Sequence, residues 1–179
     1  MRIITGEFRG RRLKSPLTDS VRPTTDKVKE AIFNILIPYL RDEIVCVDLF
    51  AGTGNLGLEA ISRCAKRCYF SDSSRDSMRL IKENVSICGA EEYSILLSGD
   101  YRQNLGRIKE KVDIFFIDPP YASDFYLSAL SEIRKNDLLA DGGCIVCEHA
   151  DKDEMPDEYE GFVKVKDKCY GNIGVTIYE

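Results

Sequence analysis

Five nearly unbroken apolar runs punctuate the chain: IVCVDLF (44–50), RCYFSD (67–72), YSILLSGD (93–100), VDIFFID (112–118) and GGCIVCEHA (142–150). Runs with so little alternation suit strands that helices cover on both faces. Between them lie stretches with helical spacing, at 55–65, 75–89, 101–110 and 123–139. In the second, Met78, Ile81, Val85 and Cys88 recur on one face and Gly89 supplies a stop. Upstream, TTDKVKEAIFNILIPYL places Val28, Ile32, Ile35, Leu36 and Tyr39 on one helical face behind a Thr or Asp N-cap. The opening RIITGEFRGRRLKSP reads as a β-hairpin or extended arm ending at Pro16. At the far end, FVKVKDKCYGNIGVTIYE reads as two alternating strands joined through Gly171-Asn172, and the acidic DKDEMPDEYEG before it as a surface loop.

Strand–helix alternation predicts an α/β fold with an open, mostly parallel, doubly wound sheet. Such sheets bind ligands beyond the carboxyl ends of their strands, near the point where strand order reverses. The first four runs each carry an aspartate at or near their carboxyl end: Asp48, Asp72, Asp100 and Asp118. With 179 residues, one domain is expected over 1–179, divided into an arm at 1–22 and a sheet with its helices at 23–179.

Composition narrows the class. The chain is 44% hydrophobic and 31% charged, and no window approaches the ~18 consecutive apolar residues of a membrane span. The first residues have no apolar core or small-residue cleavage site, so a cytoplasmic protein is expected. Of seven cysteines, Cys46, Cys144 and Cys147 fall inside apolar runs and read as reduced, buried thiols. Cys144-x-x-Cys147 and Cys64-x-x-x-Cys68 resemble metal spacings, but a strand points residues three apart to opposite faces. Zinc needs four convergent ligands, and a single histidine, His149, adds little, so no metal is expected. The net charge of −5 conceals an asymmetry. Residues 1–30 hold eight basic and four acidic residues, a surplus of four, which leaves −9 on the remaining 149. A basic arm on an acidic body suits a polyanion partner, although a merely solvated arm reads the same way.

The chemistry starts at VDLFAGTGNLG (47–57), where Gly52, Gly54 and Gly57 form G-x-G-x-x-G. The pattern suits NAD or S-adenosylmethionine, and Asp72, eighteen residues after Gly54, suits the ribose of either. Asp48 separates the two. A carboxylate four residues before Gly52 attracts the ammonium and sulfonium of S-adenosylmethionine but repels the pyrophosphate of NAD. The segment IDPPY (117–121) then decides the chemistry. Asp118 and the Pro119 carbonyl can accept both hydrogens of an exocyclic amine. Pro119 and Pro120 fix φ and so hold those acceptors in advance, and Tyr121 offers a ring for a flat base. An aromatic amine is a poor nucleophile whose lone pair must be aimed, and a sulfonium is an excellent leaving group. Positioning and electrostatics therefore carry most of such a transfer.

Taken together, MRIITGEFRGRRL, RPTTDKVKEAIFNIL, DLFAGTGNLGLEAISR, DPPY, GGCIVCEHA and KCYGNIGVTIYE resemble, nearly end to end, the bacterial methyltransferases that modify N2 of guanine 966 in 16S rRNA. The glycine loop and DPPY are shared with many aminomethyltransferases, and the RPTTDKVKEAIFNIL block narrows the match. The resemblance implies a seven-stranded Rossmann-like methyltransferase sheet with its last strand antiparallel. It implies that Phe50, Ala51, Gly52, Thr53 and Gly54 hold the methionine moiety, with Asp72 on the ribose and Asp100 on the adenine amine. Asp118, Pro119 and Tyr121 would hold the guanine. Members of the family often carry glutamate at the position of Asp72, followed by a charged residue rather than Ser73-Ser74. Arg9, Arg11, Arg12, Lys14 and Arg22 would grip phosphates flanking a flipped base. The implied partner is ribosomal RNA or the small ribosomal subunit, approached by a monomer with neither membrane nor metal. A DNA adenine-N6 or cytosine-N4 methyltransferase uses the same DPPY chemistry and stands as the alternative, although little of the chain is left for a sequence-reading domain. An NAD-dependent oxidoreductase would leave DPPY without a role. An inactive RNA-binding relative would keep the fold without the reaction.

Overall fold

Parallel strands need crossover helices, and the sequence supplies them in strict alternation up to residue 150. The computed structural model describes residues 1–16, 26–119 and 124–179, with the side chain of Asp124 outside the description. The strands are β1 (Val45–Asp48), β2 (Arg67–Asp72), β3 (Ser94–Ser98), β4 (Val112–Ile117), β5 (Leu139–Ala150), β6 (Glu158–Tyr159), β7 (Phe162–Tyr170) and β8 (Ile173–Tyr178). The α-helices are α1 (Asp26–Ile35), α2 (Asn55–Ser62), α3 (Arg75–Cys88), α4 (Tyr101–Leu105) and α5 (Asp124–Lys135). The strands form one sheet in the order β3-β2-β1-β4-β5-β8-β7-β6. The first five run parallel, and β8 lies antiparallel between β5 and β7. Strand order reverses between β1 and β4, which opens the crevice where ligands bind in such sheets.

Both faces of the sheet are covered. On β4, Ile114 and Phe116 join α1, α2 and α3 in one apolar layer, while Phe115 and Ile117 join α4 and α5 in the other. Cys144 lies in the first layer and Cys147 in the second, as their spacing on a strand requires. Gly57 marks the tightest contact of α2 with the sheet. A Cβ there would stand 2.4 Å from Phe70 Cε1 and 2.6 Å from Cys68 Sγ, so only glycine fits.

The arm is a minimal hairpin and is part of the core. Ile3 N–H donates to Arg11 O at 3.0 Å and Gly10 N–H to Ile3 O at 2.9 Å, with a bridge between Arg2 and Arg12. Ile3, Phe8 and Leu13 are buried against α1, α2 and α3. The hairpin tip meets the end of α2 backbone to backbone, since Glu7 N–H donates to Ser62 O at 2.9 Å. A Cβ on Gly6 would overlap that carbonyl at 1.7 Å.

A buried ionic knot anchors the hairpin. Glu59, in α2, accepts from Ile4 N–H at 2.8 Å, Thr5 N–H at 3.0 Å and Arg63 Nε at 2.9 Å. It also pairs with Lys29 Nζ at 3.0 Å, and both side chains are fully buried. Lys29 donates in addition to Arg2 O and Asn55 Oδ1, each at 2.7 Å. Burial lowers the Lys29 pKa, and Glu59 acts in the opposite direction.

Three elements depart from the sequence reading. The sheet has eight strands rather than seven. The extra one, β6, pairs Glu158–Tyr159 with β7 at the end of what reads as an acidic loop. Helix α4 stops at Leu105 instead of running on to 110, with Gly106 at its C-cap. Strand β5 begins at Leu139, because Val112 pairs with Leu139 ahead of a register shift. The division between arm and sheet at 22/23 falls outside the described residues.

Candidate active site

The first crossover makes a sharp loop at the carboxyl end of β1. Ala51 N–H donates to Ser71 O at 2.9 Å and Gly54 N–H to Ala51 O at 2.6 Å. Gly52 and Gly54 both have left-handed backbone, at φ 54° and 76°, and Gly54 caps the start of α2. Among the described residues a Cβ on Gly52 would meet only Phe50 O, at 3.9 Å, so these residues leave the loop backbone open to a ligand at this point.

Two aspartates tie the loop down. Asp48 accepts from Gly57 N–H at 3.0 Å and is 3% exposed. Burial raises its pKa to about 7, the Gly57 N–H opposes the rise, and the nearby Asp72 charge adds to it. Asp72 accepts from Gly52 N–H at 2.9 Å and from Ser74 N–H at 2.8 Å, so each of its oxygens braces one turn. Each oxygen has a second lone-pair direction, which leaves room for ribose hydroxyls. Asp100 caps α4 by accepting from Arg102 N–H at 2.9 Å, and its other oxygen lies 3.6 Å from the Arg102 guanidinium.

Asp118 and Pro119 follow β4 directly, the first half-buried and the second buried. They stand across the crevice from the glycine loop, because β4 and β1 are neighbours, with Asp48 paired to Phe116. Pro120, Tyr121 and Arg22 lie outside the described residues. An aromatic cluster flanks the crevice. Phe50 packs on Tyr101 at 5.1 Å and on Phe125 at 5.8 Å, which draws together the loop after β1 and the first turns of α4 and α5. Tyr101 Oη donates to Ser128 Oγ at 2.8 Å.

Two buried asparagines hold these loops, and the sequence reading passed over both. Asn84 Nδ2 donates to Thr53 O at 2.9 Å and to Lys14 O at 3.1 Å, and its Oδ1 accepts from Lys14 N–H at 2.7 Å. Asn104 Nδ2 donates to Ser71 Oγ, Leu97 O and Gly99 O, and so fixes the turn that carries Asp100. The only signal available for either is a polar residue on the apolar face of its helix.

The basic arm is divided by its own packing. Arg11 donates to Ile87 O and Cys88 O, where it caps the C-terminal end of α3. Helix α3 leaves β2 at its carboxyl end and returns toward the start of β3, so Arg11 and the hairpin tip with Arg9 sit at the sheet edge opposite the aspartates. Lys14 is fastened to α3 through Asn84 and through an ion pair with Glu83 at 2.9 Å. Arg9 and Arg12 are exposed and make no ion pair among the described residues. Among the described residues no cluster of three or more His, Cys, Asp or Glu side chains could hold a metal, and no helix is long and apolar enough to cross a membrane.

Comparison with known proteins agrees with this architecture. Residues 1–179 match the family described as conserved hypothetical protein 95. YlbH of Bacillus subtilis is 36% identical, over 100% of this chain and 98% of its own. Ribosomal RNA small subunit methyltransferase D of Escherichia coli is 31% identical, over 100% of this chain and 89% of its own. The solved structure of yhhF from Escherichia coli superposes with a TM-score of 0.87 at 28% identity, covering 99% of this chain and 96% of that one. The fold is that of the α/β methyltransferases.

Proposed function

This chain belongs to the conserved hypothetical protein 95 family, matched from residue 1 to 179, and on that premise we propose that it methylates the exocyclic N2 amine of a guanine in 16S ribosomal RNA, guanine 966, using S-adenosylmethionine. The observation that carries the reading is the facing pair across the switch point: a braced glycine loop on β1, and Asp118-Pro119 at the end of β4. The name of the Escherichia coli relative supports ribosomal RNA as the substrate.

The residues fit the cofactor. The open backbone at Gly52 and the buried Asp48 carboxylate suit a cationic amino-acid moiety, Asp72 suits a ribose, and Asp100 suits an adenine amine. When bound, S-adenosylmethionine supplies an electrophilic methyl carbon on a good leaving group. The Asp118 carboxylate and the Pro119 carbonyl accept the two amine hydrogens, which turns the nitrogen lone pair toward that carbon. Tyr121 completes the base site by stacking. On the arm, Arg12 and Lys14 are the exposed cations proposed for phosphate contact, with Arg22 further along the same segment, while Arg9 and Arg11 lie at the opposite edge of the sheet and Arg11 is engaged on α3.

Methyl transfer from labelled cofactor to total RNA and total DNA, with mapping of the modified base, tests the reading. Label at guanine N2 of 16S rRNA is expected. Label on adenine or cytosine of DNA would replace it with the rival chemistry.

Asp48 also gives a pH signature. Its folded pKa, about 7, lies above the usual carboxylate value of 3.8, so it holds a proton below neutrality. A bound cation favours the ionised form. Cofactor binding therefore expels a proton at acid pH, and affinity rises as pH increases through 7. The gain should be about fivefold between pH 6 and 7, and it levels off above that, where the cofactor's own α-ammonium, with an ordinary pKa of about 8, starts to lose its charge. Titration calorimetry in buffers of different ionisation enthalpy reads both the affinity and the proton count. The Asp48→Asn variant should bind more weakly and lose this dependence.

A further inference from the structure

Strands β4 and β5 run parallel with Ile117 paired to Cys147. Asp118 follows Ile117 directly beyond the end of β4, and Glu148 follows Cys147 on β5, so two carboxylates leave neighbouring backbones where the strands are spaced about 4.8 Å apart. Ile117 and Cys147 both point into the α4–α5 layer, and alternation along β5 turns Glu148 to the other side, the side of its β8 partner Val175. Glu148 is held in place from two directions, since Tyr126 Oη donates to its backbone carbonyl at 2.8 Å and Val175 of β8 pairs with it. Its residue is only 8% exposed. The Tyr126 hydroxyl is raised in pKa first by burial and then by the charge of Asp118, with Cys147, Asp153 and Glu148 adding less, so Asp118 lies within electrostatic reach of the hydroxyl that fixes the Glu148 backbone.

A carboxylate has about four lone-pair directions, so Glu148 can keep its contacts within the protein and accept a further donor from a substrate. Guanine presents an N1–H donor directly beside its exocyclic amine. Adenine and cytosine present a ring acceptor beside theirs, and uracil has no amine. A carboxylate next to Asp118 would therefore welcome guanine and repel the other two amine-bearing bases.

We propose that Glu148 is a specificity residue that accepts N1–H of the target guanine while Asp118 and the Pro119 carbonyl hold its N2 amine. The inference rests on the guanine-N2 reading above. It gives β5 a part in recognition, and it divides the work between two neighbouring strand ends: Asp118 prepares the nitrogen and Glu148 selects the base.

The test uses target RNA carrying either guanine or 2-aminopurine at the mapped position. 2-Aminopurine keeps the amine but has an acceptor at N1. The parental enzyme should methylate the 2-aminopurine RNA at least about 100-fold more slowly, as expected when a site built for a donor meets an analogue lacking it. Glu148→Gln can offer an amide N–H to that acceptor, so its preference for guanine should fall at least about tenfold. Equal parental rates on the two RNAs would overturn the inference, and that comparison does not depend on any variant folding. A Glu148→Gln variant that slows both RNAs equally, with the preference unchanged, would overturn it as well by reducing Glu148 to a structural role. If the parental enzyme leaves the guanine RNA unmethylated, the guanine-N2 reading itself fails and takes this inference with it.

Discussion

Replacing Asp118 by alanine should lower methyl transfer at least about 100-fold, the scale of a lost acceptor that acts in the transition state. The loss should appear in the single-turnover rate, because the substitution removes the group that orients the amine. Cofactor affinity should change little. The groups proposed to hold the cofactor brace one another, Asp48 on Gly57 and Asp72 on Gly52 and Ser74, without using Asp118. Asp118→Asn separates charge from geometry, since the amide keeps an oxygen acceptor but loses the negative charge that stabilises a nitrogen becoming positive. Its rate should fall between those of the parent and the alanine variant. Single-turnover transfer with cofactor titration on the same samples checks both expectations. A parental rate from Asp118→Ala would remove the residue from the reaction.

Glu59→Ala should produce the largest loss of stability. The substitution leaves Lys29 fully buried without its carboxylate and withdraws the acceptor shared by Ile4 N–H, Thr5 N–H and Arg63. Breaking one side of such a pair typically costs about 3–5 kcal/mol, because the remaining charge stays in a poor solvent. Urea unfolding monitored by circular dichroism measures the loss. The double variant Lys29→Met/Glu59→Leu should recover a substantial part of it, since removing both charges avoids the orphaned one. If Glu59→Ala were as stable as the parent, the knot would not be what anchors the hairpin.

The sheet was legible because its signals are local. The apolar runs and the intervening helical spacing identify β1 to β5 and their crossovers, and the two-residue Gly171-Asn172 turn identifies the final hairpin. The four strand-end aspartates follow from the same runs, and the structure gathers them along one edge. What escaped notice depends on contacts distant in sequence. Glu59 and Asn84 each join segments more than fifty residues apart, and a lone polar residue on a helix does not disclose its partner. The hairpin was visible, but its docking was not, because Gly6 reads as a flexible turn until Ser62 O is seen against it. Charge counting treated Arg9, Arg11, Arg12 and Lys14 alike. Packing assigns Arg11 to a helix end and fastens Lys14 to Glu83. Strand β6 is two residues long and has no periodicity to detect.

The position of β8 has a consequence for synthesis. This strand is last in chain order yet lies inside the sheet, between β5 and β7. While the nascent chain lengthens, the outer edge of β5 therefore remains an unpaired template with buried-type side chains, and β7 has no sheet to join. Both defects are repaired by the same six residues, Ile173–Tyr178, only after they emerge. Until then the partly made protein carries an adhesive apolar edge of the kind that pairs with other chains. A premature stop just after Tyr170 would make that temporary exposure permanent, and its product would be a client for chaperones and proteases although every proposed catalytic aspartate is already in the chain.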